Sequence, residues 1–465
     1  MRQPNCRLWS SATREGAIDS QTLTSAESDF RPVAAWATVA ILMIFQFLSV
    51  IDRQIVAILA NAIEADLGLT DVQLSLLQGL AFAMFYSCVG IPIGIAVDRF
   101  SRRHVAWLAI SFWSLSSAAC GLATNFVGLF FGRMGVGAGE AGLTPVATSL
   151  ITENFPRGRS ATPMGMFAAS FYAGAGLAFV LGGALVHWLS GLGPISAPVI
   201  GAIKPWQAAF LLTGLPGLAF ALLAFLMHDP RDARRRASPT IAHETMSFRM
   251  LLASRPRLLF YFLVGWGILS AYSYAVAAWT PAFVMRVYGW DPAQVGLSIG
   301  LLIAGCGLAG CVLGGLVMDA MIRAGIKGAP FLFTALVMGI SLPFYIGAYL
   351  VGDSTWMLVL FGIAMFFAAP MGSGAYASLG VVAPPGARGK TAAIFTFFMA
   401  TLGTAMGPFA AALITDFVFG DKARVGEALA LFGCIVVPLG ISLLLVGRKY
   451  YVAEEVKDQS SSAIR

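Results

Sequence analysis

From Ala34 onward one pattern repeats along the chain: a long apolar run, then a short polar break. A helix needs about 20 apolar residues to cross a bilayer. Twelve runs meet that length, at 34–60, 72–97, 104–123, 126–153, 161–188, 206–228, 258–287, 292–321, 329–350, 355–383, 390–418 and 425–447. Several approach 30 residues, which predicts tilted helices. Pro92, Pro145, Pro281, Pro343, Pro370 and Pro408 fall inside the runs. Membrane helices tolerate such prolines, which mark bends. Ahead of the first run the chain is polar, Ser/Thr-rich and carries four Arg, with no apolar h-region to suggest a cleavable signal peptide.

Composition agrees with the pattern. Apolar residues make up 58% and charged residues 11%, with a mean hydropathy of +0.79. Typical soluble domains carry about 25% charged residues. A soluble fold, a disordered chain and a nucleic-acid binder are excluded on these figures. The 51 Gly fit close helix contacts in a bilayer. The net charge of +7 is a matter of placement: with the first tail on side one, 24 of the 30 Lys and Arg fall on that side, 4 on the other and 2 inside spans. Positive residues accumulate on the cytoplasmic side. The expectation is a multi-pass protein of the cell inner membrane, with both termini cytoplasmic and membrane lipids around it.

The longest break, 229–257, divides the spans six and six. Three echoes cross it. Arg157-Gly158-Arg159-Ser160-Ala161 matches Arg388-Gly389-Lys390-Thr391-Ala392 at an offset of 231 residues. Gly174-x-x-x-Ala178-Phe179-x-x-Gly182-Gly183 matches Gly403-x-x-x-Gly407-Pro408-x-x-Ala411-Ala412 at 229, and Gly94-x-x-x-Asp98 matches Gly315-x-x-x-Asp319 at 221. Echoes in register mean two homologous halves. The organisation is a tail over 1–33, a six-helix bundle over 34–228, a linker over 229–257, a second bundle over 258–447 and a tail over 448–465.

Gly94-Ile-Ala-Val-Asp98-Arg99-Phe-Ser-Arg102-Arg103 reads G-x-x-x-D-R-x-x-R-R in the turn after the second run. Gly94 lets a helix approach, and Asp98 can pair with an Arg as a latch that opens when the halves rock. With twelve spans and the repeat, this resembles the loop motif of the major facilitator superfamily. The fold implied is all-α, with two pseudo-symmetric six-helix bundles.

Four charges lie deep in the runs: Asp52, Arg53, Arg133 and Glu140. A mid-membrane charge costs about 2.5–3.5 kcal/mol on insertion scales, so such residues mark pathways. Asp52 and Arg53 point about 100° apart on a helix, and Arg133 and Glu140 stand about two turns apart. Pairing therefore runs between helices. The wording around them, Leu48-Ser-Val-Ile-Asp52-Arg53, Phe131-Gly-Arg133 to Gly139-Glu140-Ala-Gly and Glu153-Asn-Phe-Pro156-Arg-Gly-Arg159, resembles the spinster-like branch of that superfamily over about 34–450. The resemblance implies coupling and substrate-site roles for Asp52, Arg133 and Glu140, with Arg53 in the same Asp-Arg pair, and lysolipid- or sphingolipid-like cargo in eukaryotic members. A deep carboxylate flanked by arginines can trade a salt bridge for a proton, which makes Asp52 and Glu140 the proton-coupling candidates, and Arg53 and Arg133 can meet an anionic head group.

Other signals carry less. Gly165, Gly174, Gly182 and Gly183 match an antiporter-associated glycine motif, but Ala178 and Phe179 replace its Gly-Pro pair. Gly386-Ala-Arg-Gly389-Lys390-Thr391 nearly spells a phosphate-binding loop, with Pro384 where the first Gly belongs. The cysteines form no C-x-x-C and lie without His neighbours, so no metal, cofactor or disulfide framework is expected. The four His sit at run ends or in breaks, which argues against a His proton relay. Tyr86, Phe171, Tyr172, Tyr272, Tyr274, Trp279 and Tyr376 are the aromatic candidates for a cavity wall.

The reading is a secondary transporter working by alternating access, coupled to protons and monomeric, for an amphiphilic or organic-anion small molecule. Its rivals are a proton-coupled drug or metabolite exporter of another branch, and a transporter-like sensor without flux. A membrane enzyme lacks its clustered nucleophile or metal set. A reporter fused within 231–245 is expected on the cytoplasmic face, and one within 192–204 on the outer face. The reverse pair of readings overturns the twelve-span topology.

Overall fold

The computed structural model describes residues 31–155, 161–192, 195–197, 201–230, 255–383 and 388–463. The tail over 1–30, most of the 229–257 linker and Arg157–Ser160 of the repeat lie outside those residues. Among the described residues the chain forms twelve helical rods. Helix 1 is Pro32–Leu67 and closes on Gly68 in the left-handed conformation, φ 65°. Helix 2 starts at Asp71–Ser75, where Thr70 and Gln73 form a reciprocal capping box, passes through a π turn at Leu76–Leu80 and continues as Ala81–Arg99. Helix 3 is Arg102–Cys120. Helix 4 is Phe126–Glu140 and, after a break at Ala141-Gly142, Leu143–Asn154. Helix 5 is Ala161–Leu192 and helix 6 is Pro205–Ala221 with a 3-10 turn at Leu222–Leu226. A small hairpin joins them, with Ile195 paired to Ile203.

The second half repeats this plan. Helix 7 is Pro256–Tyr288. Helix 8 is Pro292–Leu302, a π turn at Ile303–Gly307 and Leu308–Arg323. Helix 9 is Ala329–Leu350. Helix 10 is Ser354–Ala368 and Met371–Val382, broken at Ala369-Pro370. Helix 11 runs from Arg388 to Phe419 through two π turns, Met399–Ala405 and Ile414–Phe419. Helix 12 is Val425–Ala463. Two irregularities recur in the paired helices: helices 2 and 8 each carry a π turn, and helices 4 and 10 are each broken in two.

Ten of the rods are long and apolar enough to cross a membrane on length and composition alone. Helices 3 and 4 are not among the ten. Helix 3 holds Arg102, Arg103, His104 and four Ser. Helix 4 holds Arg133 and Glu140 and is broken. Their packing between apolar neighbours, not their own hydropathy, places these two rods within the bundle. Elsewhere large apolar side chains such as Leu226 and Phe131 stand exposed, at 71% and 62%. Lipid covers such a surface where water would not.

Odd-numbered helices begin at the end of the bundle where helix 1 starts and helix 12 finishes, the near end. The halves meet tightly toward the opposite, far end. A Cβ on Gly183 of helix 5 would strike the Pro292 carbonyl of helix 8, and one on Gly79 of helix 2 would strike the Thr404 carbonyl of helix 11. Arg286 of helix 7 reaches across to Glu64 and Asp71, each at 2.7 Å. Lys422 also pairs with Glu64, and His187 lies 3.7 Å from Asp291. The Val72 N–H donates to Asp416 at 3.1 Å. The far end of this conformer is therefore closed.

The stretch 448–465, expected as a tail, is helical over its described part. Helix 12 continues through it to Ala463. Tyr451 is buried, with its ring 5.0 Å from that of Phe331. Arg448 donates to the Lys327 carbonyl at 2.9 and 3.1 Å, and Tyr450 stacks on Tyr261. Hydropathy falls after 447, but the helix ladder and these contacts carry it on. Burial of such a ring is worth about 1.5–3 kcal/mol. Tyr451→Ala is expected to lower the thermal midpoint of purified protein by several degrees, while Leu226→Ala, on the lipid face, leaves it unchanged; equal shifts overturn the docked extension.

Candidate functional site

Helix 1 presents Ser49, Asp52 and Arg53 at three successive angles. Ser49 and Arg53 are four residues apart and share a face. Both donate to the same oxygen of Glu140, each at 2.6 Å. Asp52 points away from that face, toward helix 3, where the Ser117 hydroxyl donates to its carboxylate at 2.7 Å. Arg133 of helix 4 donates to the Asp52 main-chain carbonyl at 3.0 Å and approaches the Leu77 carbonyl of helix 2 at 3.4 Å. Asp52, Arg133 and Glu140 are at most 2% exposed. Four helices thus share the deep charges, in two polar units: one joining Arg53 to Glu140, the other joining Asp52 to Ser117 and, through the main chain, to Arg133.

Local sequence makes this approach possible. Helix 4 reads Gly-Val-Gly-Ala-Gly between its two charges. At Gly137 any Cβ would collide with the Phe82 carbonyl oxygen of helix 2. With the helices that close, the Phe82 ring serves both cations: the Arg53 guanidinium sits 4.6 Å from its centroid and that of Arg133 5.8 Å. Cation–π attraction strengthens where water is excluded.

Between the halves lies a cavity of about 300 Å³. Arg53, Gln54, Gln78, Phe82 and Arg133 line it from the first half, with Phe171 and Tyr172 of helix 5. The second half contributes Tyr274, Ile303, Tyr345, Phe361, Met365 and Met371. Both cations of the lining come from the first half, and apolar groups come from both halves.

The expected residues divide against this cavity. Arg53, Arg133, Phe171, Tyr172 and Tyr274 line it, and the Tyr172 hydroxyl donates across the halves to Ala369 at 2.8 Å. Tyr86 stacks on Phe82 beneath Arg53, at 5.4 Å from the guanidinium, and is not on the wall. Tyr272, Trp279 and Tyr376 do not line it. Tyr272 is fully buried inside the second half against Tyr345 and Phe432. Trp279 is buried and donates to the Pro408 carbonyl. Tyr376 is 66% exposed beside Phe395. Helices apolar all round give no face signal, so aromatic identity did not locate these rings. Gln54, Gln78 and Tyr345 were missed; the two glutamines were legible as uncharged polar residues deep in apolar runs.

The loop motif also differs from expectation. A Cβ at Gly94 would meet nothing within 4 Å, so the glycine admits no close helix here; Gly315, its repeat partner, is equally open. Asp98 falls in helix 2, but its side chain lies outside the described residues. Arg99 is exposed and Arg103 half-buried. Arg102 is the buried charge: it pairs with Glu153 at 2.6 Å and with Asp229 at 3.6 Å. These contacts bind helices 3, 4 and the end of helix 6 within one half, not the halves to each other.

The pattern of the Major Facilitator Superfamily matches residues 42–408. The chain belongs to that superfamily. It is 26% identical over 402 residues to an MFS-type efflux pump of Mycolicibacterium smegmatis, covering 86% of this chain and 89% of the relative. It is 22% identical to the probable L-galactonate transporter of Escherichia coli, covering 89% of each. The crystal structure of a bacterial homologue of the human lysosomal transporter spinster, inward-facing and unoccupied, superposes with a TM-score of 0.71 at 23% identity, over 91% of this chain and 97% of that one. The superfamily member described here is a transport protein and not an enzyme.

The Arg53–Glu140 pair yields a stability test. Removing one partner of a buried ion pair costs on the order of 3–5 kcal/mol, because the other charge stays desolvated. The Arg53 side chain keeps 27% of its exposure, which places its case at the lower end. Arg53→Leu is expected to lower the thermal midpoint clearly, and the double variant with Glu140→Leu to recover most of the loss. A double variant no better than the single one overturns the pairing.

Proposed function

We propose that this chain is a proton-coupled secondary transporter of an organic anion with a sizeable apolar body, working by alternating access. The observation that carries the reading is the cavity: two guanidinium groups of the first half share its lining with aromatic and thioether side chains. An anionic head group meets arginine in charge-assisted, forked hydrogen bonds. The apolar lining takes the rest of the cargo. All of this lies within one chain, so a monomer suffices.

The carboxylates supply the coupling. Glu140 rests on Arg53 and Ser49, and its second oxygen is buried without a partner. An anion that engages Arg53 competes with Glu140 for it. A proton on the carboxylate replaces the ion pair it gives up. Asp52 stands one residue away, with a hydroxyl as the partner of its carboxylate and Arg133 held on its carbonyl. Cargo on Arg133 therefore reaches Asp52 through the main chain. Both acids can exchange a proton for a contact, and both sit beside a cation that cargo uses.

Alternating access then rests on the far end. With the near end cytoplasmic, as the Lys and Arg distribution supports, the closed contacts of Arg286, Lys422 and Glu64 form the outer gate of the inner membrane protein. The transition to the other state requires that gate to part while the near end closes. The efflux pump and sugar-acid carrier among the relatives leave the direction of transport to experiment.

Proteoliposome flux with and without a pH gradient tests the coupling. Asp52→Asn is expected to abolish accumulation against a gradient and to spare downhill exchange, since neutral Asn mimics the protonated acid. Arg133→Ala is expected to weaken cargo affinity at least ten-fold, about 1.4 kcal/mol or more, with a smaller effect on coupling. Wild-type uphill transport by Asp52→Asn overturns the assignment.

A further inference from the structure

Gln78 stands out among the cavity residues. It lies in the π turn Leu76–Leu80 of helix 2. Its neighbour Leu77 offers the carbonyl that Arg133 approaches at 3.4 Å, and its neighbour Gly79 packs against the Thr404 carbonyl of helix 11. Gln78 is thus held between the arginine and the seam of the two halves. It borders the cavity, yet both its amide nitrogen and its amide oxygen are buried without a hydrogen-bond partner. A buried donor or acceptor left unpaired costs about 1–3 kcal/mol, and here one side chain holds both. The other glutamines of the described residues near helix ends are used: Gln73 and Gln294 close capping boxes, and Gln207 donates to Ala123. An amide that stays unpaired in a cavity wall is a group waiting for cargo.

We infer that Gln78 determines specificity: the cargo carries, next to its anionic group, a neutral hydroxyl or amide that both donates to and accepts from the Gln78 side chain. This rests on the organic-anion reading above and narrows it. Position supplies the argument. Gln78 and Arg133 meet the same stretch of helix 2, so a ligand group held by Arg133 brings its adjacent atoms to the amide. A methylene there leaves both amide atoms unpaired. A hydroxyl, donor and acceptor at once, pairs with both. Discrimination of this kind exceeds what an apolar pocket achieves, because the wrong ligand strands buried polar groups. The π turn contributes by breaking the regular ladder at this position, a feature frequent at functional sites.

The test uses two probes that differ by one hydroxyl beside the carboxylate: phenylacetate and 2-hydroxy-2-phenylacetate. Both carry an acid and an aromatic body suited to the cavity lining. Affinities are read by titration of the full-length protein in detergent. Wild type is expected to prefer the hydroxylated acid about five-fold or more, the equivalent of one net hydrogen bond. In Gln78→Leu the ratio falls to near one. In Arg133→Ala both probes weaken together. Equal affinity of wild type for the two acids, or a preference that survives Gln78→Leu, overturns the inference alone. Absence of binding by both acids, or binding that Arg53→Ala and Arg133→Ala leave untouched, overturns the organic-anion reading and the inference with it.

Discussion

Everything in this molecule is arranged around charge that has been taken out of water. Arg53, Arg133, Asp52 and Glu140 sit where a bare charge is least welcome. The structure meets that cost with partners from four helices: a carboxylate for Arg53, main-chain carbonyls for Arg133, and hydroxyls for the two acids. Such partners must stand within hydrogen-bond reach, so helices 1, 2, 3 and 4 must pack closely. The glycines of helix 4 follow from that demand, as does the Phe82 ring lying between two guanidinium groups.

The second half is built differently. Its contribution to the cavity is mainly aromatic and aliphatic, with the hydroxyl residues Ser273, Thr280 and Thr404 and no charged group. Tyr349 bonds Thr280, and Trp279 bonds Pro408. Two halves of common plan have therefore diverged in chemistry: the charged groups in the cavity lining, Arg53 and Arg133, both come from the first half.

The far end obeys the same electrostatics. Arg286 holds two carboxylates and Lys422 shares one of them, at the end of the bundle away from the start of helix 1. Glycine contacts between helices 5 and 8 and between helices 2 and 11 bring the backbones together beneath these pairs. The Arg286–Asp71 contact is bidentate and nearly buried, whereas Lys422 is more exposed and its pair with Glu64 is individually weak. Under the proposed alternating access these contacts part and re-form in each cycle.

The sequence by itself determined the order of the helical runs, the duplication, the superfamily and the identity of the deep charges. Each of these rests on periodicity, composition or local wording, which survive without coordinates. It also determined that Asp52 and Arg53 face different ways, since adjacent helical residues must. Only the tertiary structure decided which partner each charge takes, because Ser49, Ser117 and the Leu77 carbonyl come from elements whose rotation and depth no single run reveals. It alone separated Tyr172 from Tyr272 and Trp279, since an apolar helix buried on several sides carries no stripe to orient it. It moved the buried ion pairing of the loop motif to Arg102, with Glu153 and Asp229 arriving from distant runs. And it picked out Gln78, a residue whose significance lies in what it fails to touch, a property that exists only once the surrounding atoms are in place.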